Sequence, residues 1–165
     1  MASLVVVAIA LLSSILCASA ASQITEFGYS YKEWVEPICR EMSKGADKAR
    51  GKVRDVRFYP SARASTALKG VGKALSKGFL QLNAVESPPE ERAQLHEWVL
   101  FVKRTAQRYS DAGIALGQGH AARARVLLTT IEVPSTVEAT EDAQGFAYCK
   151  FDPQRWLVLF RVPAR

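Results

Sequence analysis

Residues 87–117 read SPPEERAQLHEWVLFVKRTAQRYSDAGIALG, and this stretch predicts a helix. Ser87, two prolines and two glutamates predict a helix start, because proline lacks the N–H that a first turn leaves unpaired and acids complement the helix dipole. Gly117 and Gly119 predict its end. Between them, apolar residues recur at the three- and four-residue steps of one helix face: Leu95, Trp98, Val99, Val102, Ala106, Tyr109, Gly113 and Leu116.

Two further helices are predicted before this stretch. Ser30 and Glu33 have the spacing of a capping box, and apolar residues continue from there at helical steps: Val35, Ile38, Cys39, Met42, Ala46, Ala49, Val53 and Val56. Pro60 ends this helix, and the next begins at about Ser61. The second stripe contains glycines that either weaken the helix or let a neighbour approach closely: Ala64, Ala67, Leu68, Val71, Leu75, Phe79 and Leu82, with Gly70, Gly72 and Gly78.

A fourth helix is predicted after Gly119, running to about Ala143. Pro134 interrupts it, and a capping-box spacing at Ser135 follows, so we expect a kink or a restart. Four helices with short connections predict an all-α fold, an antiparallel four-helix bundle whose last helix is kinked at Pro134. The segment RWLVLFRV at 155–162 favours β structure, which predicts a short strand or an extended segment over the bundle.

The beginning of the sequence predicts export. Residues 4–16 form an uncharged apolar run, too short to span a bilayer, and Ala18-Ser19-Ala20 has the pattern that signal peptidase recognises. We therefore expect a signal peptide cleaved near Ala20 and an extracytoplasmic location, secreted or in the cell envelope. Two alternatives stay open: a buried N-terminal helix, or a lipid anchor at Cys17, although Leu16 is not the small residue that normally precedes a lipidated cysteine.

The predicted domain organisation follows from these boundaries. We expect a signal peptide at 1–20, a flexible segment at 21–29, a helical domain at 30–150 and an apolar tail at 151–165. Cleavage leaves two cysteines, Cys39 and Cys149, and an exported chain with two cysteines allows one intramolecular disulfide. Closing so long a loop is worth up to about 4–5 kcal/mol on the chain-entropy model. The alternative is two separate buried thiols.

This arrangement of cysteines resembles a known group of proteins. Pro37-Ile-Cys39-Arg40 in the first helix is joined by a late Gly145-Phe-Ala-Tyr-Cys149, with the proline-acid stretch before Trp98 and the segment ALGQGHAARAR at 115–125 between them. Together they are similar to small exported or lipid-anchored helical proteins of actinobacteria. Over residues 30–149 the resemblance implies a helical fold, export and a disulfide. It carries over no catalytic residue.

The usual catalytic and cofactor signatures are absent from the sequence. His96-Glu97 begins like a zinc-protease helix, but Leu100 stands where the second histidine is needed, and the cysteines lack metal spacing. Met42 is read as core packing rather than a haem ligand. The acids near Pro134 are read as a solvated face rather than a cation site: Glu132, Glu138, Glu141 and Asp142. We therefore expect neither an enzyme nor a cofactor. The least favoured alternative is a cofactor or enzyme site inside the bundle, near Trp98, Tyr109 and the Pro134 kink.

Positive charge is concentrated in one region. Residues 40–78 contain 11 Lys or Arg and three acids, a local net charge of +8 in a chain of net +6. Cations recur at four-residue steps in two rows: Arg40, Lys44, Lys48 and Lys52, then Lys69, Lys73 and Lys77. The first interpretation is a binding or structural protein whose lysines serve solubility. The alternative is that the rows bind an anionic envelope polymer or membrane surface. No aromatic residues interleave with the lysines, which argues against nucleic-acid binding.

Overall fold

The computed structural model describes residues 30–51, 60–158 and 160, and the regular elements within them are helices. In chain order they are α1 (Tyr31–Arg50), α2 (Ser61–Leu82), α3 (Arg92–Gly117), α4 (Ala121–Thr129) and α5 (Ser135–Ala143), followed by a 3₁₀ turn at Pro153–Trp156. The all-α prediction is confirmed. The predictions for 1–20 and 21–29 lie outside the described residues. No described helix is both long and apolar enough to cross a bilayer.

Helix α1 begins as its capping-box spacing predicts. The Glu33 carboxylate accepts a hydrogen bond from the backbone N–H of Ser30 at 2.8 Å, which satisfies a donor that the first turn leaves unpaired. The helix ends at Gly51, whose φ of +80° suits a residue without a side chain. The predicted apolar face is buried at Val35, Cys39, Met42 and Ala46, whereas Val53 and Val56 lie outside the described residues.

Helices α1 and α2 approach closely and run antiparallel. A Cβ added at Gly78 would lie 2.6 Å from Cγ of Met42, and one added at Gly70 would lie 2.8 Å from Cβ of Ala49. The contact positions rise along α1 while they fall along α2, so the two chain directions are opposite. Small residues on α2 therefore permit a close approach, as the second of the two readings of its glycines predicts.

Helix α2 packs equally closely against α3 on its other side. A Cβ at Gly72 would lie 2.8 Å from the backbone nitrogen of Ser110, and one at Gly113 would lie 2.9 Å from the backbone nitrogen of Lys69. The order of these contacts makes α2 and α3 antiparallel as well. Helix α2 thus packs against both α1 and α3.

Helix α3 supplies the centre of the core but starts later than the sequence predicts. All eight residues of its predicted face are buried, including Trp98 and Tyr109. The predicted start at Ser87 is wrong: Glu91 is the N-cap, and residues 88–91 form a turn in which Glu91 N–H donates to the Pro88 carbonyl at 3.1 Å. The two prolines disfavour helical backbone at Ser87 and Pro88, which excludes a helix start at Ser87, and the turn then precedes α3.

The predicted fourth helix is two helices. Helix α4 ends at Thr129, the chain is non-helical from Thr130 to Pro134, and Pro134 is the N-cap of α5. Restart, rather than a kink, is therefore the correct reading of this region. The cause is local, since Pro134 has no N–H for a continuous helix and disfavours helical backbone at Val133. Both α4 and α5 pack on α3.

The chain after α5 returns to α1 and is bonded to it. Cys39 and Cys149 form a disulfide with Cα atoms 5.1 Å apart and both residues buried, which confirms the predicted pairing. The Glu36 carboxylate accepts hydrogen bonds from the backbone N–H groups of Ala147 and Tyr148, the second at 2.8 Å. Residues 145–149 are therefore attached to α1 by covalent and polar contacts.

The C-terminal segment packs on its own bundle as far as the structure describes it. Phe151 contacts the rings of Phe101 and Trp156 at centroid distances of 5.8 and 5.2 Å. Trp156 is 1% exposed and donates its Nε1 hydrogen to Asp47 of α1 at 3.0 Å. Val158 and Phe160 are also buried. The segment begins as a 3₁₀ turn, and residues 159 and 161–165 lie outside the described part of the chain.

Candidate functional site

The cations predicted on α1 lie on its exposed face. Arg40, Lys44 and Lys48 are all exposed, whereas Lys52 lies outside the described residues. Lys44 forms an ion pair with Glu41 at 2.7 Å, and the Arg40 guanidinium lies 4.9 Å from the ring centroid of Tyr148. An exposed pair of this kind contributes little to stability, so it leaves Lys44 accessible to other anions.

The cations predicted on α2 are exposed as well. Within the described residues, none of Lys69, Lys73 and Lys77 takes part in an ion pair, and the same holds for Lys48 on α1. The antiparallel contacts between Met42 and Gly78 set Lys77 at the level of Arg40 and Lys44. The two rows therefore extend along the same length of the α1–α2 pair.

Glu41 lies close enough to both rows for cations of each to act on its carboxyl. The pKa of its carboxyl is lowered, first by the hydrogen bond from Lys44 and that residue's charge, then by the charges of Arg40 and Lys77. Cations of both helices thus act on one carboxylate. Since Glu41 carries one negative charge among these cations, it reduces the local positive charge without cancelling it.

Glu141 is the polar residue whose position the sequence reading missed. Glu132, Glu138 and Asp142 are exposed, as expected of a solvated face, but Glu141 is 4% exposed and that expectation is wrong for it. The signal was present, because Glu141 follows the buried Val137 by one helical turn and so shares its face.

The Glu141 carboxylate joins three parts of the fold. Its Oε1 atom accepts hydrogen bonds from the backbone N–H of Phe151 at 2.9 Å and from Nε1 of Trp98 at 3.3 Å. Burial raises the pKa of this carboxyl, although both hydrogen bonds act in the opposite direction. A carboxylate on α5 therefore connects α3 with the segment that follows the disulfide.

A cleft of about 370 Å³ opens beside Glu141, between α5 and residues 150–153. Its wall contains four acidic side chains, one lysine and three apolar residues: Glu138, Glu141, Asp142, Asp152, Lys150, Val133, Phe151 and Pro153. Lys150 forms an ion pair with Asp142 at 3.1 Å. The cleft is thus acidic, in contrast to the cationic rows of α1 and α2.

The remaining candidates have ordinary surroundings. His96 is exposed and Met42 is buried in the core, as the sequence predicts for each. In the described part of the chain, no three His, Cys, Asp or Glu side chains are grouped so that they could hold a metal ion. Tyr109 donates its hydroxyl hydrogen to the Pro153 carbonyl, and burial raises the pKa of that phenol.

Comparisons of the chain with protein-family models, with curated proteins and with solved structures found no match. The fold and the site define an all-helical domain with a Cys39–Cys149 disulfide, exposed cations on α1 and α2, and an acidic cleft beside Glu141.

Proposed function

We propose that the protein acts outside the cytoplasm as a non-catalytic binding protein, and that the cationic rows of α1 and α2 bind an anionic polymer of the cell envelope. The observation that carries this proposal is that six cations are exposed on two adjacent helices, α1 and α2. The two rows extend along the same length of the helix pair, and cations of both rows lower the pKa of the Glu41 carboxyl. The proposal includes the four-helix antiparallel arrangement, in which α4 and α5 together fill the place of a fourth helix.

The proposed location rests on two independent features. A buried disulfide persists in an oxidising compartment, whereas the cytoplasm keeps thiols reduced. Residues 1–20 have the apolar run and small-x-small pattern of a signal peptide. Envelope polymers that carry phosphate or carboxylate groups occur in this same location, so ligand and protein would meet there.

The physical basis of binding is the summed field of the cations rather than a shaped pocket. Each exposed lysine interacts weakly through water, with screening beyond about 8–10 Å at physiological salt. A linear polyanion contacts several cations at once and releases its condensed counterions, so the affinity depends steeply on salt. If about six contacts form, affinity should fall on the order of 10³-fold between 50 and 200 mM salt.

The test is retention of the disulfide-bonded protein on an immobilised polyanion, heparin, over a salt gradient. Lys73→Glu with Lys77→Glu should lower the eluting salt concentration sharply. The matched control is Arg123→Glu with Arg125→Glu, two exposed residues of α4 that change the net charge by the same amount. The control should elute close to the original protein.

Two results would reject the proposal. Equal losses in both double variants would mean that retention follows net charge alone and that the rows have no special role. If the original protein does not bind heparin at low salt, a polyanion is not its ligand. All four substituted positions are exposed, so we expect each variant to fold. Far-UV circular dichroism of each variant verifies that its helices are intact.

A further inference from the structure

A cleft of about 110 Å³ lies between α3 and the non-helical chain that joins α4 to α5. Helix α3 contributes Arg104, Thr105 and Arg108 to its lining, and the joining chain contributes Thr130 and Glu132. Apolar residues complete the wall. Two arginines against one glutamate give the lining a formal charge of +1.

The Thr105 hydroxyl is a buried polar group without a partner. Thr105 is 1% exposed, and its Oγ1 atom has no hydrogen-bond partner among the described residues. The usual partner of a helical threonine is the carbonyl oxygen four residues earlier, to which Thr66, Thr129 and Thr140 donate at 3.0, 3.1 and 2.7 Å. Buried hydroxyls without a partner are unfavourable and few in native proteins. Because Thr105 lines the cleft, a ligand bound there would supply the missing acceptor.

The two arginines of the cleft keep donors for such a ligand. Arg108 donates through Nη1 to the Thr130 hydroxyl at 2.6 Å, and that hydroxyl donates in turn to the Val126 carbonyl at 2.9 Å. This contact holds the guanidinium in place but uses one of its N–H donors, of which arginine has five. The ion pair that Arg104 forms with Glu97 is exposed and long, at 3.9 Å, so it competes weakly with a ligand.

The lining selects an oxyanion as the bound group. Hydroxyl and guanidinium groups are hydrogen-bond donors, and guanidinium matches the paired oxygens of a carboxylate or a phosphoryl group. Arg104 and Arg108 are four residues apart, so they project from the same face of α3 on successive turns. The volume is well below the about 300 Å³ at which small-molecule sites begin, so it suits one charged group rather than a whole large ligand.

We infer that this cleft binds the carboxylate or phosphoryl group of a small ligand, with Arg104 and Arg108 as cationic donors and the Thr105 hydroxyl as the innermost donor. This site does not depend on the proposed polyanion binding, because the cationic rows lie on α1 and α2. Recognition here comes from the positions of a few donors, whereas the rows act through their summed charge. Glu132 lowers the affinity for an anion, since its charge lies in the same lining.

The test is a ¹H–¹⁵N NMR titration of the full disulfide-bonded protein with acetate and with inorganic phosphate, at an ionic strength held constant with chloride. We expect saturable shifts of the backbone amides of Thr105, Arg108 and Thr130, and no such shifts with chloride alone. Tighter binding of acetate indicates a carboxylate ligand, whereas tighter binding of phosphate indicates a phosphoryl ligand. Shifts confined to α1 and α2 would belong to the cationic rows and would overturn the inference.

Thr105→Val is the decisive variant, because valine has the shape of threonine without the hydroxyl. Anion binding should weaken at least about tenfold, since a hydrogen bond to a charged group is lost. The urea midpoint of the ligand-free protein should not fall, because the Thr105 hydroxyl has no hydrogen bond to lose within the described residues. A merely structural role would give the opposite pattern, with lower stability and unchanged binding.

A second variant tests the charge of the lining. Glu132→Gln should tighten anion binding by about two- to fivefold, because an exposed opposing charge is removed. Glu138→Gln is the matched control, since it removes the same charge from an exposed residue of α5 outside this cleft, and binding should be unchanged.

Three results would overturn the inference. Neither anion gives saturable shifts around the cleft, the Thr105→Val protein binds both anions as tightly as the original, or Glu132→Gln binds no more tightly than Glu138→Gln. Far-UV circular dichroism of each variant separates a changed site from a lost fold.

Discussion

Substituting Gly72 by alanine should separate α2 from α3 and destabilise the fold. A Cβ at this position would meet the Ser110 hydroxyl and two backbone atoms, the Ser110 nitrogen at 2.8 Å and the Ala106 carbonyl oxygen at 2.9 Å. Real Cβ atoms essentially never come within 3.0 Å of such neighbours. Backbone atoms cannot rotate away as a side chain can, so the two helices must move apart.

The magnitude follows from two opposing terms. Overpacking of a core costs about 1–3 kcal/mol, and rigid backbone on the facing helix places Gly72→Ala at the upper end of that range. Alanine is more favourable than glycine in a helix by about 1 kcal/mol, which offsets part of this packing cost. The net loss in unfolding free energy is therefore about 2 kcal/mol, which corresponds to a Tm about 6 °C lower in a domain of this size.

The matched control for this prediction is Gly45→Ala, at the α1–α2 contact. A Cβ there would meet only the Cβ of Ala74, at 3.2 Å, so the helix-propensity gain and the packing cost should nearly cancel. Urea unfolding of the oxidised proteins, followed by far-UV circular dichroism, measures both variants. The reasoning is refuted if Gly72→Ala is as stable as Gly45→Ala, since the close approach of α2 and α3 would then be absent.

Further predictions concern the disulfide, the C-terminal segment and pH. Replacing Cys39 and Cys149 by alanine should cost about 4 kcal/mol in urea unfolding, because the loop closed by the bond spans a separation of 110 residues; an unchanged midpoint would contradict this. Asp47→Ala should cost about 1–3 kcal/mol in the same assay, because buried Trp156 loses its acceptor, whereas Asp47→Asn, which keeps an oxygen, should cost less. Burial raises the pKa of Glu141, so the native state binds this proton more tightly than the unfolded chain does. The free energy of unfolding, compared with that of Glu141→Gln, should therefore fall as the pH rises from the ordinary glutamate pKa to the raised one. Unfolding midpoints of the pair between pH 4 and 8 test this, and a constant difference would contradict it.

Helix faces were the part of the fold that the sequence predicts well. The face of α3 is buried at every predicted position from Leu95 to Leu116, because a period of 3.6 residues is imposed by the backbone and needs no knowledge of the neighbours. The glycines of α2 also had a readable meaning. The sequence left open whether they weaken the helix or permit close approach, and it could not assign Gly70 to α1 and Gly72 to α3.

Prolines and the ends of elements were predicted less well. The pair Pro88-Pro89 was expected to begin α3, but residues 88–91 form a turn and α3 begins at Arg92. At Pro134 the sequence predicted a kink or a restart with a cap at Ser135, whereas the structure has two helices and Pro134 is the N-cap of the second. In both cases the local signals were compatible with more than one helix start.

The polar interior was the least predictable part. Glu141 was grouped with exposed acids, because its burial depends on Phe151 and Trp98, which are close only after the chain folds back over α3. The C-terminal segment shows the same limit. Its apolar character was evident, but its docking on α1 through Trp156 and Asp47 joins residues more than 100 positions apart.

The central claim is that this chain is an exported protein closed by a Cys39–Cys149 disulfide. Its most direct test is the intact mass of the protein isolated from its native host, with and without a reductant before thiol alkylation. The account predicts a chain that begins at about Ala21 and has two cysteines that alkylate only after reduction. A mass that retains residues 1–20, or cysteines that alkylate without reductant, would contradict it.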